Sequence, residues 1–242
     1  MISNKTHGIS MFFPCYNDSK SIGKLVENSF STLAKITENH EVIVIDDGSQ
    51  DNSREVLKRL QKKYNKLKLV FHEQNKGYGG ALKSGFAKST KDLVFYTDGD
   101  GQYDVNELPL LLSLMTNDVN FVNGIKMDRK DPTYRIIFGN AYSLIARWFF
   151  WLPIYDVDCD FRLIRSSLLK KVNLESNSGS ICVELVKKAQ RAGGKFRQIS
   201  VHHYERRWGE SQFFRIDRLF STFKELSLLW FKIMVISRKI NT

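Results

Sequence analysis

The fold is decided by residues 93–104, Leu-Val-Phe-Tyr-Thr-Asp-Gly-Asp-Gly-Gln-Tyr-Asp, where a short apolar run ends in a cluster of acids and glycines. The four apolar residues are typical of a buried strand. Asp98 and Asp100 alternate with glycines, which lack side-chain bulk, so the backbone can turn and bring both carboxylates to one point. With the Gln102 oxygen, these hard ligands suit Mg²⁺ or Mn²⁺ bridged to substrate phosphates. The alternative is an Asp/Gly turn that binds nothing.

The composition indicates a folded, basic protein. Of 242 residues, 42% are hydrophobic, which is ample for a sizeable core and excludes a disordered chain. There are 37 Lys and Arg residues against 26 Asp and Glu, and the formal net charge of +11 points to phosphate-bearing partners. A nucleic acid, a nucleotide and an anionic membrane surface all meet that condition.

Cysteine usage and the N-terminus favour a reducing cytoplasm. Cys15, Cys159 and Cys182 are widely spaced and form no CxxC pair, so neither a disulfide framework nor a zinc site is indicated. Residues 1–8 lack an apolar core and directly precede a predicted strand. We therefore expect no signal peptide.

Apolar strands alternate with amphipathic helices in the first part of the chain. Strands are predicted at 9–13, 42–45, 67–71 and 93–97, and helices begin near residues 19, 51 and 77. This order predicts an α/β fold with right-handed crossovers and a mostly parallel central sheet flanked by helices. Because ligands bind at the carboxyl ends of such strands, the loops at Tyr16, Asp47 and Asp98 should share one edge of the sheet.

The second part of the chain is less regular. Further helices are predicted at 108–115 and 180–192, and further strands at 121–122, 161–164 and 196–201. Residues 136–154 are very apolar, but Arg147 and Pro153 interrupt them, so we do not expect a membrane span. A core helix and an amphipathic helix at a membrane surface both remain open.

The tail from Phe213 to Ile236 is also predicted to be helical and apolar over most of its circumference. Lys224, Glu225 and Lys232 argue against a transmembrane span in this tail. The open alternatives are docking against the body of the protein and lying in the headgroup region of a membrane.

Several polar segments have two interpretations. The glycine-rich run 75–81 lacks the spacings of a P-loop and of a dinucleotide site, so it is a phosphate cradle or only a tight helix entry. The positions after the first strand, 14–17, hold no glycines, which argues against a Rossmann dehydrogenase. The basic side chains of residues 126–135 form a solvated loop or an anion clamp, and they are Lys126, Arg129, Lys130 and Arg135.

Two adjacent pairs stand after the last predicted strand. His202 and His203 should point to opposite faces of that strand, so joint metal ligation is not expected. Arg206 and Arg207 precede a glycine and are better suited to gripping phosphate, because guanidinium groups match its geometry.

Six motifs together carry a resemblance to a known family. The first four are Pro14-x-Tyr16-Asn17, Asp46-Asp47-Gly48-Ser49, Asn75-x-Gly77-x-Gly79-x-Ala81 and Asp98-x-Asp100-x-Gln102. In this order they resemble the family-2 inverting glycosyltransferases of GT-A fold. Asp160-Phe161-Arg162-Leu163 and Arg207-x-Gly209-x-Ser211 resemble the branch that glycosylates polyprenyl phosphates, typified by dolichyl-phosphate mannosyltransferases. The match covers about residues 9–212.

The resemblance implies a role for each matched residue. The nucleotide-sugar would be bound by Pro14, Tyr16, Asn17, Asp18, Asp47, Ser49, Lys76 and Asp98. Mg²⁺ or Mn²⁺ would be held by Asp98, Asp100 and Gln102. The catalytic residues would be Asp100, Arg135, Asp160 and Arg207, and the acceptor phosphate would be bound by Arg129, Arg135, Arg207 and Ser211. Asp18 and Gln212 depart from the family, which usually has Glu and Lys at these positions.

The implied chemistry agrees with these residue types. A metal held by Asp98 and Asp100 would act as a Lewis acid on the leaving diphosphate, and arginine would add donors where charge develops. A lipid phosphate oxygen is already anionic and needs no strong general base, so Asp160 would have a minor role. For a sugar hydroxyl acceptor, Asp160 would be the leading base.

The expected organisation follows from the same comparison. Residues 1–212 would form the GT-A domain and residues 213–242 an amphipathic helix that docks or associates with a membrane. We expect an enzyme on the cytoplasmic face of a membrane, bound peripherally, with a membrane-spanning partner protein as one option. The alternatives are transfer to a saccharide or other hydroxyl and, more distantly, a nucleic-acid-binding module. The last does not explain the strand-end acids, so no nucleic-acid partner is expected.

Overall fold

The computed structural model describes residues 7–130, 132–206, 208 and 224–236, apart from the side chains of Arg135 and Ile236. Its strands are β1 (Ile9–Cys15), β2 (His40–Asp46), β3 (Leu67–Phe71), β4 (Leu93–Tyr96), β5 (Phe121–Met127), β6 (Arg162–Arg165) and β7 (Phe196–His202). Its helices are α1 (Ile22–Ala34), α2 (Ser53–Lys63), α3 (Gly77–Lys88), α4 (Leu108–Leu114), α5 (Thr133–Phe150), α6 (Ser166–Leu169) and α7 (Ile181–Arg191). Residues 224–236 form a further helix, called the C-terminal helix below, which ends in a π-helical turn.

The strands form one seven-stranded sheet in the order β3-β2-β1-β4-β6-β5-β7, and the sheet is mostly parallel, as predicted. Among the described strands only β6 is antiparallel, to both β4 and β5. Arg162, the first residue of β6, pairs with Tyr96 at the carboxyl end of β4. The connection 128–161 therefore starts and finishes at the carboxyl edge of the sheet, and β6 has to run back from that edge.

Helices cover both faces of the sheet. Strands β1, β2 and β4 are buried along almost their whole length, which explains why they are continuous apolar runs. Phe95 packs in the same cluster as Ile22 of α1, whereas Tyr96 packs in the cluster of Leu82 from α3 and Ile181 from α7. All three cysteines are buried free thiols. The α/β architecture predicted from the sequence is thus confirmed.

Two strands are longer than their apolar runs. β1 continues through Pro14 to Cys15, because its pairing with β2 extends to Asp46. β5 extends from Phe121 to Met127, because it pairs in parallel with β7 over its whole length. Pairing with a neighbour therefore sets these ends, and the apolar pattern alone does not.

Helix α5 packs against the body of the protein along one side only. It ends where Trp151 adopts a left-handed conformation with φ of 50°. Ala146 and Phe150 are buried against the body of the protein, whereas Phe138 is 64% and Trp148 is 74% exposed. One side of the helix thus belongs to the core, and a broad aromatic side is exposed.

The C-terminal helix packs beside α5. Leu229 and Ile233 are buried, and the Trp230 indole N–H donates to the Phe149 carbonyl oxygen (3.0 Å). The predicted tail residues 213–223 lie outside the described residues. Among the helices that the structure describes, none combines the length and the apolar character needed to cross a bilayer.

Candidate active site

The loops after β1, β2 and β4 lie at one edge of the sheet, as predicted, because these strands are adjacent and parallel. Two of the predicted nucleotide-binding residues connect the first two loops. The Asn17 N–H donates to Ser49 Oγ (3.0 Å), and Asn17 Oδ1 accepts from the Gln50 N–H (2.8 Å). Asn17 has a φ of 58°, which asparagine tolerates better than most residues. Asn17 and Ser49 thus hold the two loops against each other.

The acid turn, residues 98–102, packs tightly against β1. A Cβ atom on Gly99 would lie 2.3 Å from the Pro14 carbonyl oxygen, so a larger residue would push the turn away. The Gln102 N–H donates to Asp100 Oδ1 (2.9 Å), and the Gln102 side-chain amide donates to the Tyr204 carbonyl oxygen (3.0 Å). The turn is therefore closed internally and joined to the segment after β7.

Each carboxylate of the turn receives a side chain from another part of the chain. Asp98 Oδ1 accepts from the Tyr78 hydroxyl (2.7 Å) at the start of α3. Asp100 Oδ2 accepts from Arg206 Nη2 (3.0 Å), which follows β7. The turn thus presents two fixed carboxylates with a guanidinium beside one of them.

Negative charge is concentrated at this edge. Burial, followed by the carboxylates of Asp160 and Asp100, raises the pKa of Asp98 well above its usual range. Burial also raises the pKa of Asp18 to about 6, with a further contribution from Asp100. Four carboxyl groups from three separate loops therefore share one electrostatic environment.

Asp160 is held by a buried polar network. Its Oδ1 accepts from the Tyr96 hydroxyl (3.2 Å) and from the Cys182 thiol (3.3 Å), and Arg162 Nη2 lies 3.7 Å away. Arg162 is fully buried and donates to Tyr96 Oη (2.9 Å) and to Asn123 Oδ1 (2.8 Å). Because β6 starts at the carboxyl edge, this network places Asp160 next to the acid turn.

Both interpretations of the basic segment are wrong for Lys126, which is neither solvated nor free to bind an anion. Its Nζ lies 3.1 Å from Asp158 Oδ2 and 3.4 Å from Asp156 Oδ1, and its side chain is buried. Burial by itself lowers the pKa of Lys126, but the two carboxylates outweigh this effect and the pKa rises above its ordinary value. Lys126 therefore anchors the loop before Asp160. Arg129 lies against Gly139 of α5, on the same side as Asp158.

Asp47 is fixed by groups from two neighbouring segments. Its Oδ1 accepts from the Lys76 backbone N–H (2.9 Å) and from His72 Nδ1 (2.6 Å). The Lys76 side chain itself is exposed. Lys76 thus contributes its backbone to the site through Asp47.

The glycines of residues 77–80 serve close packing. Cβ atoms on Gly77 and Gly79 would lie 2.4 Å from the carbonyl oxygens of Asn177 and Ser176, respectively. The Gly79 N–H donates to the Asn177 carbonyl oxygen (2.8 Å). This arrangement agrees with the tight helix entry, and it positions Tyr78 against the acid turn.

The donor set at the edge fits a divalent cation. Asp98 and Asp100 supply hard oxygen atoms. Burial and, after it, the carboxylates of Asp160 and Asp100 raise the pKa of Asp98, and a cation beside this carboxyl group would favour its charged form. In the described ranges, no three acidic, histidine or cysteine side chains form a complete metal site. Two carboxylates with open positions are what Mg²⁺ or Mn²⁺ bridged to substrate phosphates requires.

Three predicted site residues lie wholly or partly outside the part of the chain that the structure describes. Arg207 and Ser211 lie outside the described residues, and Arg135 lies in α5 with its side chain undescribed. The sequence reasoning had missed Tyr78 and His72 altogether. His72 follows β3 directly, and a polar residue at the carboxyl end of a strand beside Asp46 and Asp47 was the signal that could have indicated it.

The fold is shared with solved glycosyltransferase structures. Glucosyl-3-phosphoglycerate synthase from Mycobacterium tuberculosis, in complex with Mn²⁺, UDP and glucosyl-3-phosphoglycerate, superposes with a TM-score of 0.71 over 93% of this chain and 79% of that one. The same synthase in complex with phosphoglyceric acid gives a TM-score of 0.70. Sequence identities are 17% and 18%, so this likeness shows the fold alone.

The sheet, with acids at its strand ends, has the GT-A fold. The chain belongs to glycosyl transferase family 2, whose sequence model matches residues 10–172. It is similar to two proteins named undecaprenyl-phosphate 4-deoxy-4-formamido-L-arabinose transferase. The one from Yersinia enterocolitica is 26% identical over 212 residues, which are 87% of this chain, and the one from Edwardsiella ictaluri is 27% identical over 206 residues, which are 85%. The chain spans only 64% and 62% of the lengths of these relatives.

Proposed function

We propose that the chain transfers a sugar from a nucleotide-sugar of the GDP-mannose or UDP-glucose type to polyprenyl phosphate, with inversion and with a divalent metal. The observation that most supports this proposal is the acid turn, in which Asp98 and Asp100 lie beside the Arg206 guanidinium at the carboxyl edge of the sheet. Membership of glycosyl transferase family 2 and the names of the two relatives support this donor and acceptor.

Asp98 and Asp100, with the side-chain oxygen of Gln102, would hold Mg²⁺ or Mn²⁺ on the donor diphosphate. When bound, the ion would neutralise the negative charge that develops as the diphosphate leaves. Arg206 would add hydrogen-bond donors to the same oxygens, since its guanidinium already lies 3.0 Å from the Asp100 carboxylate. Tyr78 keeps Asp98 oriented through its hydroxyl hydrogen bond.

The acceptor phosphate oxygen is anionic, so the reaction needs no strong base. Asp160 would then orient groups near the reacting centre, because Tyr96 and Cys182 hold its carboxylate in place. Arg129, Arg135, Arg207 and Ser211 stay the proposed contacts of the acceptor phosphate.

The exposed sides of α5 and the C-terminal helix are the proposed membrane-facing surface. Ile137, Phe138 and Trp148 of α5 are exposed, and so are Leu228 and Phe231 of the C-terminal helix. The Trp230–Phe149 hydrogen bond joins the two helices. Apolar and aromatic side chains exposed over two adjacent helices are typical of a protein that lies in the headgroup region. The enzyme would bind there peripherally, from the cytoplasmic side.

A second candidate is transfer to a hydroxyl acceptor. The observation in its favour is the fixed, largely buried Asp160, whose position beside Asp98 suits a general base. Detergent and membrane dependence separate the two: the lipid enzyme should partition to membranes and release at high salt.

Calorimetric titration of UDP, GDP and their sugars tests the donor site. We expect binding with Mn²⁺ that disappears with EDTA. Absence of nucleotide binding, together with tight and salt-dependent RNA binding by the metal-free protein, would instead favour a nucleic-acid-binding module.

A further inference from the structure

The backbone of His72, which directly follows β3, is held by two hydrogen bonds. Its backbone N–H donates to the Asp46 carbonyl oxygen (2.9 Å), and its carbonyl oxygen accepts from the Arg54 guanidinium. The residue is only 4% exposed. The backbone hydrogen bonds and the burial of the residue therefore restrict the positions that the imidazole can occupy.

The imidazole lies between two polar side chains. Nδ1 is 2.6 Å from Asp47 Oδ1, and Nε2 is 2.8 Å from Ser84 Oγ on α3. A carboxylate only accepts hydrogen bonds, so Nδ1–H is the donor toward Asp47. The Ser84 hydroxyl can donate to Nε2 or accept from it, so it holds the ring in either charge state.

The two oxygens of Asp47 are used differently. Oδ1 receives two donors, His72 and the Lys76 N–H, whereas no described residue donates to Oδ2. A carboxylate held by one oxygen keeps the other in a fixed place for a ligand. The resemblance to family-2 glycosyltransferases assigns Asp47 to the base and ribose of the donor nucleotide. The inference below rests on that assignment and on the proposed function.

We propose that His72 is a positioning residue for nucleotide recognition. Its Nδ1–H, held in place by Ser84, orients the Asp47 carboxylate so that Oδ2 remains available to the donor nucleoside. His72 itself does not touch the donor. Loss of the hydrogen bond should therefore weaken nucleotide binding and leave the transfer step intact once the donor is saturating.

Three variants divide the contacts of the ring. His72→Leu removes both hydrogen bonds. His72→Asn places an amide N–H near the position of Nδ1 and keeps the donor to Asp47. Ser84→Ala removes only the hydrogen bond between Ser84 Oγ and His72 Nε2. His40→Leu is the matched control, because His40 contacts the Thr37 carbonyl oxygen at the opposite end of β2.

The measurements are the Kd for UDP and GDP with Mn²⁺, and the donor KM and kcat. We expect His72→Leu to raise Kd and donor KM by about tenfold, with kcat within about twofold of the original protein. His72→Asn should recover most of the affinity, Ser84→Ala should lose about two- to threefold, and His40→Leu should match the original protein.

Several results would overturn the proposal. One is a His72→Leu variant that binds nucleotide normally while Asp47→Asn does not, which leaves the proposed function standing. A second such result is a His72→Leu variant with a lower kcat and an unchanged donor KM. If His72→Leu fails to fold, His72→Asn and Ser84→Ala decide, and normal Kd for Ser84→Ala with full loss in His72→Asn contradicts the proposal. If the unaltered protein binds no nucleotide with Mn²⁺, the proposed function fails, and the role of His72 fails with it.

Discussion

Arg206 Nη2 lies 3.0 Å from Asp100 Oδ2, so a guanidinium from the segment after β7 neutralises one carboxylate of the acid turn. Both side chains are largely buried, and Arg206 Nε is buried without a hydrogen-bond partner among the described residues. A buried donor without a partner is costly, so Arg206 has an unused capacity for a further acceptor. A diphosphate oxygen would supply that acceptor.

Removal of Arg206 should affect metal binding and turnover in opposite directions. Arg206→Gln takes a competing positive charge from Asp100, so the nucleotide-free protein should bind Mn²⁺ about fivefold more tightly. The same change should lower kcat/KM by about 10²-fold, because the diphosphate loses its guanidinium donors. Electron paramagnetic resonance titration of Mn²⁺ and steady-state kinetics measure the two effects.

The control for Arg206 is Lys20→Gln. The Lys20 ammonium lies over the Trp208 ring, 4.9 Å from its centroid, close to the same segment but on a different partner. It should leave Mn²⁺ affinity unchanged. Equal or weaker Mn²⁺ binding by Arg206→Gln would contradict competition between the guanidinium and the metal.

Asp100→Asn should abolish turnover and leave the fold intact. The amide keeps an oxygen for the Gln102 N–H but loses the charge that holds the metal and pairs with Arg206. We expect kcat to fall by at least about 10²-fold, with an unchanged circular dichroism spectrum. Asp104→Asn, a substitution four residues later in the same loop, should retain activity. Near-normal activity of Asp100→Asn would show that the metal assignment is wrong.

Tyr78→Phe isolates the hydrogen bond to Asp98. The Tyr78 hydroxyl lowers the pKa of Asp98, which burial and the neighbouring carboxylates raise. Without the hydroxyl the pKa of Asp98 should rise further, so protons should compete more strongly with Mn²⁺ near neutral pH. We expect about fivefold lower kcat/KM, with a loss that is larger at pH 6 than at pH 8. Tyr64→Phe, in a ring stacked on Phe30 away from the site, should show no such pH dependence.

Asp18 should make the protein less stable as the pH rises. Burial raises the pKa of Asp18 from 3.8 to about 6, so the folded state holds a proton that the unfolded state releases earlier. The resulting destabilisation is absent below about pH 4, develops between about pH 4 and 6, and is complete above. Asp18→Asn should therefore increase the free energy of unfolding by about 1 to 3 kcal/mol at pH 7.5 and have little effect near pH 4. Denaturant unfolding at both pH values measures the difference, and an equal gain at both would contradict it.

The exposed side of α5 should carry membrane binding. Trp148 is 74% exposed, so Trp148→Ser should preserve the fold and remove a large apolar contact with lipid. We expect about tenfold weaker binding to anionic phospholipid vesicles, measured by co-sedimentation. Leu110→Ser on α4, which is 41% exposed, is the control and should bind vesicles normally. Equal binding by Trp148→Ser would place the membrane contact elsewhere.

The strand ends were the most predictable part of the site. Apolar runs that stop at Asp46 and Asp98 identify parallel strands, and parallel strands place their carboxyl ends at one edge. The tight turn at Gly99 also follows from the sequence, because two glycines flank Asp100. These features depend on residues that are close together in the chain.

The partners of the acids could not be predicted, because they come from distant segments. The sequence suggested that Arg206 binds phosphate and that Lys126 belongs to a solvated loop or an anion clamp. In the structure Lys126 pairs with Asp156 and Asp158, and Arg206 pairs with Asp100. The direction of β6 decides where Asp160 lies, and it depends on a long connection rather than on an apolar pattern. The sequence also did not indicate which face of α5 is exposed, because apolar residues on most sides of a helix do not show which side packs against the core.

The central claim is tested most directly by transfer of radiolabelled sugar from a panel of UDP- and GDP-sugars, with Mg²⁺ or Mn²⁺, into organic-extractable polyprenyl phosphate. We predict label in the organic phase from one of these donors, lost with EDTA and lost in Asp100→Asn. If nucleotide binding is intact but no donor labels the organic phase, the proposed lipid acceptor is contradicted. Label that appears in a water-soluble saccharide instead would identify a hydroxyl acceptor.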